Sequence, residues 1–248
     1  MKSDIARRLV DLNREFYQTL AGPFAATRGK VQPGVKRLLD RIPPGAAVAD
    51  LGCGNGNAAK FLAAGGFRGR YIGLDLSAGL LDIARAEAYP FQAVFHQVDF
   101  LEPGWEKPVS GSLFDFMLAF AVLHHIPGEP ARLSLLSACR NLLAPGGQLF
   151  LSGWQFQRSD KLRGRIVAWP EIGLSDSEVD EGDYLLDWRH KGRGLRYVHV
   201  ISAQERLALA KQSGFEEIEV FKSDGKEGNL ADYSVWAPSL TSPVKKTA

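Results

Sequence analysis

The sequence is poor in cysteine and in long apolar runs. It contains two cysteines, Cys53 and Cys139, which are too few and too far apart for a disulfide framework or a cysteine-based metal site. The longest apolar run, Phe116 to Leu123, is too short to span a bilayer, and no apolar signal segment follows the N-terminal Met-Lys-Ser-Asp. We therefore expect a protein of the reducing cytoplasm with no metal and no membrane partner.

The chain also has little net charge, +2, although its charges are unevenly distributed. Residues 1–45 carry nine Lys and Arg against four Asp and Glu. Residues 154–200 carry eight of each, with basic blocks at 158–165 and 189–196 around an acidic block at 171–187. The basic segments are suited to attract an anionic polymer, and they are equally consistent with ordinary solvated surface charge.

A glycine-rich turn is the most informative local feature. The apolar run from Val48 to Leu51 predicts a buried strand, and Gly52, Gly54 and Gly56 follow it at alternate positions before a helical pattern. Glycines place no side chain between the backbone and a ligand. Open α/β sheets bind ligands at this end of a strand, so the turn is a candidate ligand site. The alternative is a tight strand-to-helix turn with no ligand.

The spacing of the turn separates two cofactor classes. A dinucleotide fingerprint reads Gly-x-Gly-x-x-Gly and holds a pyrophosphate at the helix N-terminus. Here the pattern is Asp-x-Gly-x-Gly-x-Gly, and the carboxylate of Asp50 would repel a pyrophosphate but suits a cationic ligand. The turn, including Cys53 and Asn55, resembles motif I of the class I S-adenosylmethionine (SAM)-dependent methyltransferases. This resemblance implies SAM as the cofactor.

A second acid, Asp75, ends the next predicted strand, 19 residues after Gly56. This is the interval at which nucleoside-binding α/β folds place an acid on ribose hydroxyls, and two carboxylate oxygens can accept from two vicinal hydroxyls. The alternative role for Asp75 is a helix cap, but Ser77 already supplies a cap for the helix predicted at 78–88. The methyltransferase resemblance implies that Asp99 accepts from the adenine amino group. It adds these further cofactor contacts: Leu76, Phe100, Ala119, Phe120 and His124.

Alternating helix and strand patterns predict an α/β fold with a mostly parallel sheet. The resemblance makes this a Rossmann-like class I methyltransferase fold, in which a doubly wound sheet of seven strands, one of them antiparallel, has helices on both faces. We predict one domain, 1–248. Its parts are an N-terminal helical segment at 1–45, a SAM-binding half at 46–153, a substrate-side insertion at 154–200, a C-terminal helix with closing strands at 201–237, and a tail at 238–248.

A narrower resemblance runs from about residue 14 to 236. The chain is similar to the tRNA wobble-uridine methyltransferases that esterify a carboxymethyl group at the anticodon. The shared segments are Phe16-Tyr17, Phe24-Ala25, Thr27-Arg28, the glycine turn, Val122-Leu-His-His, Gly153-Trp154, Gly182-Asp183-Tyr184, Trp188, Arg196-Tyr197-Val198-His199 and Gly228-Asn229. The family usually has Val-Pro-Trp where this chain has Leu186-Asp187-Trp188, and a second tyrosine where it has Val198. The resemblance implies tRNA as a partner, together with a small activating subunit, and no DNA.

Three residues near the end of the insertion are candidates for orienting the acceptor: Arg196, Tyr197 and His199. A guanidinium can grip a carboxylate bidentately, and the other two can contact a nucleobase or a sugar. In an extended segment, however, Arg196 lies on one face while Tyr197 and His199 lie on the other. A surface arginine with partly buried aromatic neighbours is the competing interpretation.

The residues leave three functions open. The first is methylation of a carboxymethylated wobble uridine in tRNA, and the second is methylation of a small-molecule carboxyl or hydroxyl group. A carboxylate acceptor is already ionised and needs no general base, whereas a phenol or an amine would use His124, His125 or His199. The third is a non-catalytic SAM-binding partner subunit, which the intact turn with Asp75 and Asp99 disfavours.

Overall fold

The computed structural model describes residues 1–22, 30–189 and 192–239. Phe24-Ala25, Thr27-Arg28 and the tail from residue 240 onward lie outside these ranges. Within them, no helix is both long and apolar enough to cross a membrane. The same residues contain no group of three or more His, Cys, Asp or Glu side chains placed to hold a metal ion.

Helices and strands alternate along the chain as the sequence patterns predict. The helices are α1 (Ser3–Thr19), α2 (Pro33–Leu39), α3 (Asn57–Ala64), α4 (Ala78–Arg85), α5 (Glu129–Leu142), α6 (Asp160–Arg163) and α7 (Ala203–Gln212). The strands are β1 (Ala47–Leu51), β2 (Arg70–Asp75), β3 (Gln92–Gln97), β4 (Phe114–Phe120), β5 (Leu143–Trp154), β6 (Ile166–Val167), β7 (Asp183–Trp188), β8 (Gly194–His199), β9 (Phe215–Ser223) and β10 (Ala231–Pro238).

Seven strands form one sheet in the order β3-β2-β1-β4-β5-β10-β9. The first five are parallel, while β10 runs antiparallel to both β5 and β9. The strand order reverses at β1, which lies between β2 and β4, and such a switch point opens a crevice at the carboxyl ends of the strands. The predicted seven-stranded sheet with one antiparallel strand is confirmed.

Apolar residues cover both faces of this sheet. Val48 to Leu51 of β1 are fully buried, as is typical of a central parallel strand. Leu135 of α5 and Leu209 of α7 belong to the core on one face, and Leu38 of α2 and Leu81 of α4 belong to the core on the other. The helices on both faces are therefore confirmed, and they leave the carboxyl edge of the sheet as the place for a ligand.

The insertion contains a second, three-stranded antiparallel sheet in the order β6-β7-β8. The sequence indicated an extended segment at 196–200 but did not identify the strand pairing. One face of the small sheet packs Leu185 and Tyr197 against Ile5 and Leu9 of α1. Helix α1 therefore covers one face of the small sheet.

Candidate functional site

A cavity of about 310 Å³ occupies the crevice at the carboxyl ends of β1, β2 and β4. Most of the residues predicted to bind the cofactor line it, namely Asp50, Gly52, Cys53, Gly54, Asn55, Asp75, Leu76, Asp99, Phe100, Phe120 and His124. Two predicted residues, Gly56 and Ala119, are not part of the lining. Ala119 is buried in the core of β4, and Gly56 precedes α3 at its N-terminus.

The glycine turn adopts a backbone that glycine alone accepts easily. Gly52, Gly54 and Gly56 have φ of 67°, 53° and 76°, in the left-handed region. A Cβ at Gly52 would lie 2.5 Å from Cγ2 of Val122, and one at Gly56 would lie 2.7 Å from the Tyr89 hydroxyl. Gly52 thus lets the Val122 side chain pack against the turn, and Gly56 permits tight packing behind the turn.

Asp75 lies at the end of β2 and is joined to the turn. Its carboxylate accepts hydrogen bonds from the backbone N–H of Gly54 and of Ser77, each at 2.8 Å. Burial raises the pKa of this carboxyl, and the two backbone hydrogen bonds act in the opposite direction. The contact with Gly54 fixes the carboxylate at the wall of the cavity, where it can accept further hydrogen bonds from a ligand.

Asp50 is a buried carboxyl at the end of β1 that also lines the cavity. The hydroxyl of Tyr71 donates a hydrogen bond to it. Burial raises the pKa of Asp50 to about 7; the Tyr71 hydrogen bond lowers it, and the charge of Asp75 raises it further. Two neighbouring acids thus face a cavity in which a cationic ligand would relieve their repulsion.

Asp99 is held by α1. Its carboxylate forms ion pairs at 2.7 Å with both Arg7 and Arg14, and it accepts from the N–H of Leu101 at 2.9 Å. The neighbouring Phe100 ring packs edge-on against Trp105, with centroids 5.2 Å apart. Asp99 therefore docks α1 onto the cofactor half, a role that the sequence did not predict, and its contact with adenine stays a prediction.

Six side chains form a closed ring of neighbouring contacts at the cavity, and all of them except Phe16 line it. The ring consists of Arg196, Trp154, His124, His125, Tyr17 and Phe16. Neighbouring ring centroids from Trp154 through His124, His125 and Tyr17 to Phe16 are 6.2, 4.3, 5.5 and 5.0 Å apart. The Arg196 guanidinium closes the ring, 4.7 Å from the Trp154 centroid and 5.6 Å from that of Phe16. We call this set the acceptor ring.

Arg196 is 6% exposed and lines the cavity with its guanidinium against aromatic faces. Trp188 provides a third face, 5.6 Å from the guanidinium carbon. Aromatic faces attract a cation electrostatically and suit the weakly hydrated guanidinium better than an ammonium. The structure thus holds a cation at the cavity wall opposite the two acids of the cofactor half.

Tyr197 and His199 do not line the cavity, and their contact with the acceptor stays a prediction. Strand alternation turns both away from Arg196, and the Tyr197 hydroxyl and the His199 Nδ1 each lie 2.7 Å from Oδ1 of Asp183. Burial disfavours a charged His199, but hydrogen bonds with Asp183 and Glu205 outweigh it and raise its pKa. These residues join the small sheet to α7.

The sequence interpretation missed several residues that line the cavity, and two of them, Asn13 and Ala121, have special geometry. Asn13 accepts from the N–H of Tyr197 at 2.8 Å and donates to its carbonyl at 3.1 Å, so it pairs with the outer edge of β8 like a neighbouring strand. The sequence carried a signal for this role, because Asn13 is a polar residue four positions after Leu9 on the apolar face of α1. Ala121 lines the cavity at φ 57°, a strained backbone for which the sequence carried no signal.

We expect Asn13→Ala to lower the free energy of unfolding by about 1–3 kcal/mol, because it leaves the buried N–H of Tyr197 without its partner, while the Tyr197 carbonyl keeps its contact with His125. Glu15→Ala, on the exposed face of the same helix, is the matched control and should change stability little. Urea denaturation of both variants measures the difference. Equal stability of the two variants would show that α1 does not depend on this contact.

The cavity suits SAM in its chemistry. SAM carries a cationic sulfonium and a ribose with two vicinal hydroxyls. Asp50 and Asp75 offer carboxylates for a cation and for hydroxyl donors, and the side-chain-free backbone at Gly52 and Gly54 leaves room beside them. The residues present therefore fit the group.

Comparison with known proteins agrees with this geometry. A methyltransferase domain family matches residues 24–220. The tRNA (carboxymethyluridine(34)-5-O)-methyltransferase ALKBH8 of Mus musculus is 31% identical over 185 residues, which are 72% of this chain and 26% of that protein. A putative methyltransferase of Encephalitozoon cuniculi is 30% identical over 82% of this chain and 87% of its own. The tRNA (carboxymethyluridine(34)-5-O)-methyltransferase of Schizosaccharomyces pombe is 29% identical over 60% of each chain.

A solved structure shows the same fold. The magnesium protoporphyrin IX methyltransferase of Synechocystis, determined with bound SAH, superposes with a TM-score of 0.62 at 17% identity and covers 93% of this chain and 99% of its own. The chain spans about a quarter of the mouse relative, so it corresponds to one part of that longer protein. The family match covers most of the chain and the sheet has the methyltransferase strand order. The chain therefore belongs to the methyltransferase domain family and has the fold of the class I SAM-dependent methyltransferases.

Proposed function

We propose that this enzyme transfers the methyl group of SAM to the carboxylate of a carboxymethylated wobble uridine in tRNA. The observation that carries the proposal is Arg196, a buried cation that lines the cavity from the side opposite the glycine turn. A guanidinium binds a carboxylate with two parallel hydrogen bonds, which position it as well as attract it. The acceptor ring would then fix the nucleophile in front of the donor.

The chemistry requires alignment more than proton transfer. SAM supplies an electrophilic methyl group on a positively charged sulfur. A carboxylate is ionised at neutral pH, so the protein has no proton to remove from it. Arg196 orients the carboxylate, while Asp50 would face the positive charge of the donor and Asp75 would accept from its ribose hydroxyls. Holding both reactants in line can supply roughly 7–11 kcal/mol of the barrier reduction.

The names of two relatives support this acceptor, since the mouse and Schizosaccharomyces pombe proteins are both named as carboxymethyluridine methyltransferases of tRNA. The residues that carry the narrow resemblance also include all six members of the acceptor ring. The small activating subunit remains part of the proposal.

Transfer of radiolabel from SAM to tRNA tests the proposal. We expect base-labile label on a uridine when the tRNA carries carboxymethyluridine, and none when the same tRNA lacks that group. Asp75→Ala is the matched inactive control, because it should lose SAM binding in calorimetry. No transfer to the modified tRNA, with and without added candidate partner subunits, would contradict the tRNA acceptor.

A second candidate, methylation of a neutral hydroxyl on a small molecule, is supported by the Tyr17–His125 pair. The Tyr17 hydroxyl lies 2.8 Å from Nε2 of His125, and Nδ1 of His125 lies 3.1 Å from the Tyr197 carbonyl. A carbonyl only accepts, so we assign the proton to Nδ1 and leave Nε2 as a base. A rate that falls as His125 is protonated would favour this acceptor, whereas a carboxylate acceptor predicts no such dependence.

A further inference from the structure

The structure brings cations from the two basic blocks of the insertion to one end of the small sheet, among the residues that it describes. Strand β6 begins after Arg165, β7 ends before Arg189, and β8 begins after Arg193. Because β6 pairs with β7 and β7 with β8, these three strand ends lie side by side. We call this the basic end of the small sheet; it comprises Lys161, Arg163, Arg165, Arg189 and Arg193.

The pairing register places the charges next to one another. The Arg165 carbonyl accepts from the N–H of Asp187 at 2.9 Å, and Trp188 pairs with Gly194, so the next residues outward are Arg189 and Arg193. These lie at the end of the sheet opposite Asp183, which marks the acidic block. The small sheet is therefore electrically polar from one end to the other.

The basic end is exposed and incompletely neutralised. The Arg189 side chain is 73% exposed and pairs with Asp187, and the Arg163 side chain is 56% exposed and pairs with Asp160. Among the residues that the structure describes, five cations thus face two acids. Arg158, in the same sequence block, is excluded because Asp232 holds it bidentately at 2.6 and 2.8 Å.

This end of the sheet adjoins the acceptor ring. The Trp188 ring lies 5.9 Å from that of Phe16 and also contacts the guanidinium of Arg196. The hairpin backbone packs tightly on α1, since a Cβ at Gly194 would lie 2.9 Å from Cδ2 of Phe16. Arg189 and Arg193, the sequence neighbours of Trp188 and Gly194, thus directly adjoin residues that contact the acceptor ring.

We infer that the basic end binds the phosphate backbone of the RNA whose modified base enters the cavity. The inference rests on the RNA acceptor proposed above and names the surface that holds it. Arg and Lys contacts to phosphates position a nucleic acid without reading its sequence, and they supply most of its salt-dependent affinity. Trp188 marks the boundary between the phosphate contacts and the pocket.

Fluorescence anisotropy with a labelled anticodon stem-loop RNA containing carboxymethyluridine tests this surface in the full chain. The test variant is Arg163→Gln/Arg165→Gln/Arg193→Gln, which spares Arg189 because it pairs with buried Asp187. The control is Arg68→Gln/Lys211→Gln/Lys222→Gln, three exposed cations elsewhere. Both variants remove three positive charges, so a general charge effect would be equal in the two.

We expect the test variant to bind the RNA about 10- to 30-fold more weakly at moderate salt, with a salt slope smaller by about 2, and the control to bind nearly as the wild type does. SAM affinity should be the same in all three proteins. Equal losses in both variants, or preference of the wild type for anionic vesicles over the RNA, would overturn the inference.

The same proteins separate this inference from the proposed function. Methylation of the RNA with undiminished affinity in the test variant would overturn the basic end alone. Selective loss of affinity in the test variant, without methyl transfer by the wild type, would support the basic end and overturn the proposed acceptor.

Discussion

Replacing Arg196 by glutamine is expected to lower kcat/KM for methyl transfer at least a hundredfold while SAM affinity stays within a few-fold of the wild type. The guanidinium is buried at the cavity wall, and loss of a desolvated charge partner costs about 3 kcal/mol or more, which is roughly two orders of magnitude in rate. Steady-state kinetics with a saturating and a limiting acceptor, together with calorimetry of SAM binding, give both quantities.

Two further variants show whether the effect belongs to the geometry of the guanidinium. Arg196→Lys keeps the charge but cannot form two parallel hydrogen bonds and suits the aromatic faces less well, so its activity should fall between those of the wild type and Arg196→Gln. Tyr197→Phe, the next residue on the strand, removes a hydroxyl that bonds Asp183 away from the cavity. It should lower stability and leave methyl transfer intact. Weakened SAM binding in Arg196→Gln with unchanged turnover would remove Arg196 from the acceptor site.

Asp50→Asn is expected to stabilise the protein without ligand at pH 8 and to have little effect near pH 4. The folded-state pKa of Asp50, about 7, lies above the ordinary value of 3.8, so folding favours the protonated carboxyl. The stability from this group is complete below about pH 4 and is lost as the pH rises to about 7. At pH 8 the wild type buries a charge that asparagine avoids, which is worth up to about 4 kcal/mol.

Urea denaturation across pH 4–8 measures this change in the free energy of unfolding. The matched control is Asp82→Asn, on the exposed face of α4. The Asp82 side chain is 74% exposed, so its replacement should shift the whole curve little. The asparagine side chain of the Asp50→Asn variant can still accept the Tyr71 hydrogen bond. The difference in stability between this variant and the wild type therefore measures the effect of the Asp50 charge. A stability difference between Asp50→Asn and the wild type that does not vary with pH would contradict the assignment.

SAM binding should favour the ionised form of Asp50, whereas folding favours the protonated form. A cationic ligand favours the ionised carboxylate, so affinity in the wild type should be constant above about pH 7 and fall up to tenfold per unit below it. Asp50→Asn should bind SAM weakly and lose this dependence. The carboxyl would then cost stability in the empty protein and contribute affinity when the donor is bound, as is common at functional sites.

Much of the cofactor half was predictable because its signals are local. The strand run ending at Leu51, the alternate glycines and the acid at Asp75 each reflect a backbone or chemical requirement within a few residues. The parallel order of the sheet followed from the alternation of elements. The ion pairs of Asp99 with Arg7 and Arg14 could not be predicted in this way. They join segments 85 to 92 residues apart and leave no local sequence pattern near either partner.

The acceptor side was decided by the tertiary structure. Strand alternation in the sequence already separated Arg196 from Tyr197 and His199, but only the packing of α1 on β8 determined which face meets the cavity. The residues of the acceptor ring come from α1, the segment after β4, the end of β5, and β8. The basic end of the small sheet depends on the pairing of β6 with β7. Contacts between distant segments depend on loop closure and packing, and these are properties of the whole chain. By itself, the sequence determined the donor and the fold, whereas the tertiary structure decided which side chains line the rest of the cavity.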